Sequence, residues 1–391
     1  MRRSANLYPW DVDGDPAAAD RIAGLGLTEV TLAAAYHSVR AITPYHPRHR
    51  IVTRDAAAYY RTGPARWRGS RLRPVPAEPS GSFERAAAQL RAAGITVTAW
   101  AVLTHNARLG AADPSCAVEN AFGDRYPWAL CAGSPAVRDY AAALAAEVAA
   151  LADADEIELE ACGWYGIEHG SAHDKAAGAA GPAAGWLLSV CFCTACGQAY
   201  GAAGADPVQL RAAIRSAADQ VLAGHREGPG SPGDGPGVLP GDMAEVLLAV
   251  RAALAERFLR EVIAAVRAAA PGKPVLVHAH HDPRAAGANP GYDPAVLLGP
   301  GGADGIVLAC WDPGAAAAHV ARTAAAALPG ARIAASLLAV AALGGEPGTL
   351  SEQAEAVRSA GATELRLYHA GLAAPADLAA IRALCHARPP L

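Results

Sequence analysis

The chain has 391 residues, 52% hydrophobic and 18% charged, with a formal net charge of −4 and eight cysteines. That composition supports a large buried core and excludes a disordered chain. The near-neutral charge, with no block of Lys and Arg, lacks the electrostatic footprint that nucleic-acid binding requires. Every long apolar stretch is broken by charge, Gly or Pro before the roughly 18 residues of a membrane span, and residues 1–10 carry no signal-peptide apolar core. A soluble, cytoplasmic protein with no nucleic-acid or membrane partner is expected.

Alanine raises helix propensity throughout and blurs the hydrophobic period, so β-branched clusters and Gly/Pro punctuation place the elements. Strands are predicted over 7–10, 28–35, 96–103, 156–161, 275–278, 305–310, 332–338 and 364–368. Helices are predicted over 16–23, 82–93, 135–152, 243–269, 315–328, 350–359 and 374–386. Gly24, Gly94 and Gly361 each stand between a helix and the next strand, where a left-handed C-cap is expected. Eight strands alternating with seven helices predict a single α/β domain over 1–391, a (β/α)8 TIM barrel with long insertions after strands two and four, 38–79 and 162–241. The first insertion carries Tyr45, His46, Arg48, His49, Arg50, Tyr59, Tyr60 and Trp67, which suits a loop roofing a polar substrate or meeting a second subunit of a homo-oligomer.

Residues just past the strands are functional types: Asp11, Tyr36 and His37, His105 and Asn106, Glu160, His280 and His281, Trp311 and Asp312, and His369. In such barrels the catalytic face is the C-terminal one. In Glu156-Ile157-Glu158-Leu159-Glu160 the three carboxylates share one face of a strand, and Glu160 comes last, at the rim. Trp164 and Tyr165 follow, placed to stack on a sugar ring and desolvate that carboxylate, which makes Glu160 the candidate general acid. Glu156 and Glu158 read as structural. Asp312 is the candidate second carboxylate, although Asp-Pro-Gly before an Ala-rich helix also reads as a cap. Asp11 and Asp13 read more simply as a turn and N-cap.

The loop Glu168-His169-Gly170-Ser171-Ala172-His173-Asp174-Lys175 offers His169 and His173 to substrate hydroxyls, since Gly170 argues against the helix that two metal ligands four apart would need. His278-Ala279-His280-His281 presents the same choice between substrate and metal. Cys191, Cys193 and Cys196 form C-x-C-x-x-C, whose thiolates can converge on one tetrahedral ion, with Cys131, Cys116 or Cys162 as fourth ligand. A structural zinc bracing the second insertion is expected, and no organic cofactor.

The stretch from Leu130-Cys131-Ala132-Gly133-Ser134-Pro135 through a helix and a strand ending in Glu160 to Cys191-Phe192-Cys193-x-x-Cys196 resembles the family 42 β-galactosidases, which are glycoside hydrolases. Ala35-Tyr36-His37 and Thr104-His105-Asn106 are similar to segments of bacterial barrel proteins related to glycosidases. The resemblance covers roughly 96–200 and implies a zinc held by Cys131, Cys191, Cys193 and Cys196, with Glu160 as acid/base. The chain departs from that family at strand four, where Leu159 precedes Glu160 in place of Asn, and at strand seven, which ends in Leu-Ala-Val without a glutamate. Asp312 would then serve as nucleophile at about 5 Å from the acid or as base at about 6.5–9.5 Å.

The expected function is hydrolysis of a small glycoside or oligosaccharide, with Tyr36, His37, His105, Asn106, Trp164, His169, His173, His280, His281, Trp311 and His369 binding the carbohydrate. The alternative is a glycosidase-derived lyase, isomerase or tailoring enzyme that uses the rim histidines, with or without a metal, on a glycosylated or hydroxylated metabolite. A non-catalytic sugar-binding barrel is the third reading.

Overall fold

Alternation along each strand sends one set of side chains outward under the helices and the other into the barrel. In the computed structural model, which describes residues 1–167, 181–224 and 235–387, the outward set is aliphatic and the inward set is mostly polar. The strands are β1 (Arg2–Leu7), β2 (Glu29–Tyr36), β3 (Thr96–Val102), β4 (Glu156–Glu160), β5 (Val275–His278), β6 (Gly305–Ala309), β7 (Arg332–Leu338) and β8 (Glu364–Tyr368). All eight are parallel in sequence order, and β1 pairs with both β2 and β8, closing the barrel. Outward residues such as Leu7, Leu32, Val97, Ile157, Val277, Ile306, Leu337 and Leu367 are buried in one continuous core beneath the helices.

Eight helices follow the strands: α1 (Ala18–Ala23), α2 (Ser82–Ala92), α3 (Pro135–Ala149), α4 (Gly241–Ala269), α5 (Pro294–Leu297), α6 (Pro313–Ala326), α7 (Leu350–Ser359) and α8 (Pro375–His386). α5 is a short element that the sequence did not announce. Strand one lies at Arg2–Leu7 instead of 7–10. Pro9 has no N–H for a ladder and opens a short 3-10 turn, while inward-facing Ser4 and Asn6 break the apolar run that marks a strand. Gly94 and Gly361 take the left-handed conformation, with φ of 78° and 113°. Gly24 instead has φ −63°, and Gly26 adopts φ 82° on the way into β2.

The lumen is layered. At the N-terminal end, Arg2 bridges Glu29 and Glu156 at 2.6 and 2.7 Å, and Arg332 bridges Glu156 and Glu364. In the middle, Glu158 accepts from Arg366 Nε at 2.9 Å and pairs with His278 Nε2 at 2.7 Å. Leu276 of β5, Val307 of β6 and Ala334 of β7, on the strands between β4 and β8, form a separate small apolar cluster.

The first insertion forms a hairpin of Val39–Ile42 with Ile51–Arg54, and then returns Ala57–Ala58 to the edge of β2. Beyond it, Tyr60 Oη, Trp67 Nε1 and the Gly63 amide all donate to Glu147 of α3, which fastens this segment to the outside of the barrel. In the second insertion, helices Pro182–Leu188, Thr194–Ala202 and Pro207–Leu222 precede α4, which packs along α3. No helix among the described residues is long and apolar enough to cross a membrane.

Candidate active site

The uppermost inward layer opens into a cavity of about 330 Å³ at the C-terminal face. Its walls come from the ends of successive strands: Tyr36, Trp100, Glu160, His278, Ser336 and Tyr368, with Trp311 beyond β6 and the 285–289 loop beyond β5. A larger depression of about 680 Å³ lies along helix Pro207–Leu222, on the outer surface and away from any strand end.

Glu160 is 8% exposed, and its Oε2 accepts from Trp100 Nε1 at 2.8 Å. The strand stops there because Ala161 turns left-handed at φ 54°, an uncommon conformation for a residue with a Cβ. Glu160 is the one carboxylate in the cavity wall among the described residues.

Behind the wall, Tyr8 Oη donates to Tyr36 Oη at 3.4 Å, and Trp311 lies against Tyr368 with ring centroids 5.1 Å apart. Burial raises the Tyr8, Tyr36 and Tyr368 phenols above their ordinary range, so they stay protonated donors. His278 is tied below to Glu158, and its Nδ1 lies 3.3 Å from Asn289 Oδ1. Burial alone would depress its pKa, but the Glu158 hydrogen bond and charge outweigh that and raise it.

The structure brings Tyr36, His37, Glu160, His280 and Trp311 of the expected site into this cavity. His105 stands one layer back: it stacks on His37 at 4.1 Å, His37 stacks on Tyr36 at 4.1 Å, and His105 Nδ1 meets Tyr165 Oη at 2.9 Å. The other expected residues lie outside the cavity wall. Asn106 caps helix Ala107–Ala112 by accepting from the Leu109 amide. Trp164 donates to the Arg251 carbonyl and lies under that arginine's guanidinium. His369 is fully buried against Tyr8, and burial pushes its pKa down to about 3. Asp312 is exposed and caps α6, accepting from the Gly314 amide at 2.9 Å. His281 turns toward His280 and His319. His169 and His173 lie outside the described residues.

The aromatic and basic residues of the first insertion do not roof the Glu160 cavity. His46, Arg48, His49, Arg54 and Tyr59 line a separate cavity of about 240 Å³ with Trp10 and Asp13. Sequence reasoning did not single out Trp100, Ser336, Tyr368 or Asn289 as site residues. The signal for the first three was strand parity, since they share the inward phase of Thr98, Ala334 and Arg366.

Cys191, Cys193 and Cys196 of the second insertion converge on Cys131, just before α3, and all four are buried. Sγ of Cys131 lies 3.4, 3.7 and 3.6 Å from those of Cys196, Cys191 and Cys193, close to the roughly 3.8 Å that separates thiolates on one tetrahedral zinc. A Cβ on Gly133 would sit 3.3 Å from Cys196 Sγ, so glycine leaves the room this cradle needs. The cluster can hold a metal ion, and the hydrogen bonds that converge on Cys193 hold its thiol well below the ordinary range.

Among solved structures, the chain is similar to α-L-fucosidase isoenzyme 2 from Paenibacillus thiaminolyticus, with 14% identity and a TM-score of 0.56 over 98% of this chain and 49% of that one. It is similar also to the β-galactosidase from the psychrophilic Marinomonas ef1, with 10% identity and a TM-score of 0.57 over 98% of this chain and 59% of that one. The β-galactosidase from the haloarchaeon Halorubrum lacusprofundi gives 13% identity and a TM-score of 0.55, covering 98% and 57%. The chain thus spans about half to three-fifths of these proteins' length. No family model and no curated protein matches the sequence. The fold is a TIM barrel, shared with these solved fucosidase and β-galactosidase structures.

Proposed function

We propose that this protein hydrolyses a small glycoside, with Glu160 as the general acid. The observation that carries this reading is the placement of Glu160: a carboxylate at the end of β4, in the wall of a cavity at the barrel's C-terminal face, among Tyr36, Trp100, Trp311 and Tyr368. The aromatic faces suit a sugar ring, and the neutral phenols of Tyr36 and Tyr368 can donate to its hydroxyls. Proton transfer from Glu160 to the glycosidic oxygen lets the bond to C1 break. Water then adds at C1 and gives up its proton to the Glu160 carboxylate, which restores the acid for the next turnover. We assign the four-cysteine cluster a structural zinc, and eight cysteines without a disulfide suit the reducing cytoplasm.

Glu160→Gln should keep the fold and lose about 10²–10⁴-fold in turnover of a glycoside with a poor leaving group, and much less with an activated aryl glycoside that needs no proton. Equal loss on both substrates, or none, would remove Glu160 from the acid role. Asp312→Asn in parallel decides the second carboxylate: a drop in turnover assigns that role to Asp312, and unchanged turnover leaves it as the α6 cap.

One observation favours a second reading. β7 runs out into Ala339-Val340 with no carboxylate, while His278 and His280 both reach the cavity. Failure of the folded wild type to cleave any glycoside in a broad panel would point to a non-hydrolytic reaction run by those histidines.

A further inference from the structure

Outside the cysteine cluster, a second group of ligating side chains stands at the cavity rim. His280 and His281 follow β5, and His319 projects from α6, the helix after the neighbouring strand. Their rings meet in a mutual triangle, with centroids 4.4 Å apart for His280 and His281, 4.8 Å for His280 and His319, and 4.7 Å for His281 and His319. One nitrogen from each lies within 4.8 Å of the others. Nitrogens that share a tetrahedral ion stand about 3.4 Å apart, so modest side-chain rotations suffice to close the set.

We infer that His280, His281 and His319 form a binding site for a divalent transition ion of the zinc type, with its open coordination position beside the Glu160 cavity. Three observations support it. Nδ1 of His281 is buried with no hydrogen-bond partner, a loss that ligation would repair. The three rings crowd together in mutual contact, with centroids 4.4 to 4.8 Å apart. Neutral imidazoles are the ligating form. Finally, His280 itself lines the cavity, so an ion held by it borders the substrate space.

The surrounding charges are mixed. Asp282 and Asp312 raise the pKa of His280 and His319 respectively, while Arg322 opposes a cation at all three rings. His280 Nδ1 now accepts from the Asp282 amide at 3.0 Å, and the ion takes that lone pair in its place. Three imidazoles leave a fourth position for water or a substrate oxygen, the arrangement of catalytic zinc sites and not of closed structural ones. A substrate with a carboxylate or adjacent hydroxyls is the chemistry such a position would take.

The test reads binding, not turnover, and so stands apart from the glycosidase reading. Co²⁺ is titrated into the protein as isolated, with its cysteine cluster intact, and ions bound per chain are counted by equilibrium dialysis alongside the visible spectrum. One additional ion is expected, with ligand-field bands but no new thiolate charge-transfer band, and with affinity lowered more than about 100-fold by His319→Ala and by His281→Ala, beyond what loss of an outer partner costs. His319 sits on the partly exposed side of α6, and far-UV circular dichroism verifies that the variants fold. Equal Co²⁺ affinity in wild type and both folded variants, or binding that always brings thiolate charge transfer, would overturn the site.

Discussion

Asp11 shows how one side chain can set a pH dependence without entering the Glu160 cavity. Its Oδ2 accepts from the Tyr8 amide at 2.8 Å, and Gly371 packs so closely that a Cβ there would strike the carboxylate. Burial, opposed by that amide, pushes the Asp11 pKa from 3.8 up to about 7. Because the folded pKa is the higher one, the associated stability is fully present below about pH 3.8 and is lost as pH rises through 7. From pH 5 to pH 8 this predicts a fall of roughly 2–3 kcal/mol. Asp11→Asn should abolish that slope and raise the urea midpoint at pH 8; an unchanged slope in the variant would assign the pH dependence to another group. Asp11 was legible in sequence only as a turn residue, because a turn and a buried titrating carboxyl share the same local pattern.

At the scale of elements, the Cys131 cluster ties the start of α3 to helix Thr194–Ala202, two segments some 60 residues apart in the chain. Cys131→Ser is expected to release one zinc per chain and to open the second insertion to protease, while the barrel's far-UV circular dichroism persists. Retention of the zinc would mean that three thiolates suffice. Element placement was read well from sequence where an outward aliphatic phase is strong, as in β4 and β7, and less well at β1, whose inward Ser4 and Asn6 serve the polar lumen. The cap at Gly24 was misplaced by two residues, because glycine composition marks the turn but not which glycine needs φ above zero.

Across the whole molecule, the Glu158–Arg366 pair spans the lumen from β4 to β8, with both side chains at most 1% exposed. Desolvation would raise the Glu158 pKa, but the Arg366 charge and the His278 hydrogen bond prevail and lower it from 4.5 to about 2. The stability this contributes is present above about pH 4.5 and is lost as pH falls through 2. Arg366→Met alone should cost about 3–5 kcal/mol in chemical denaturation, because it strands a buried carboxylate. Glu158→Leu with Arg366→Met should recover most of that. A double variant no better than the single one would show that the pair does more than neutralise charge.

The local pattern of this sequence was sufficient to determine the barrel, its strand order and the rim position of Glu160, because alternation and Gly/Pro punctuation are properties of neighbouring residues. It also marked three of the four clustered cysteines by spacing alone. Only the tertiary structure decided which rim residues share a cavity. Closure of the barrel sets Trp100, Ser336 and Tyr368 beside Glu160, turns Asn106 and Asp312 into helix caps, and carries His319 across from α6 to His280 and His281. Those neighbours are remote in sequence. Their meeting depends on strand register and helix packing, which no local period encodes.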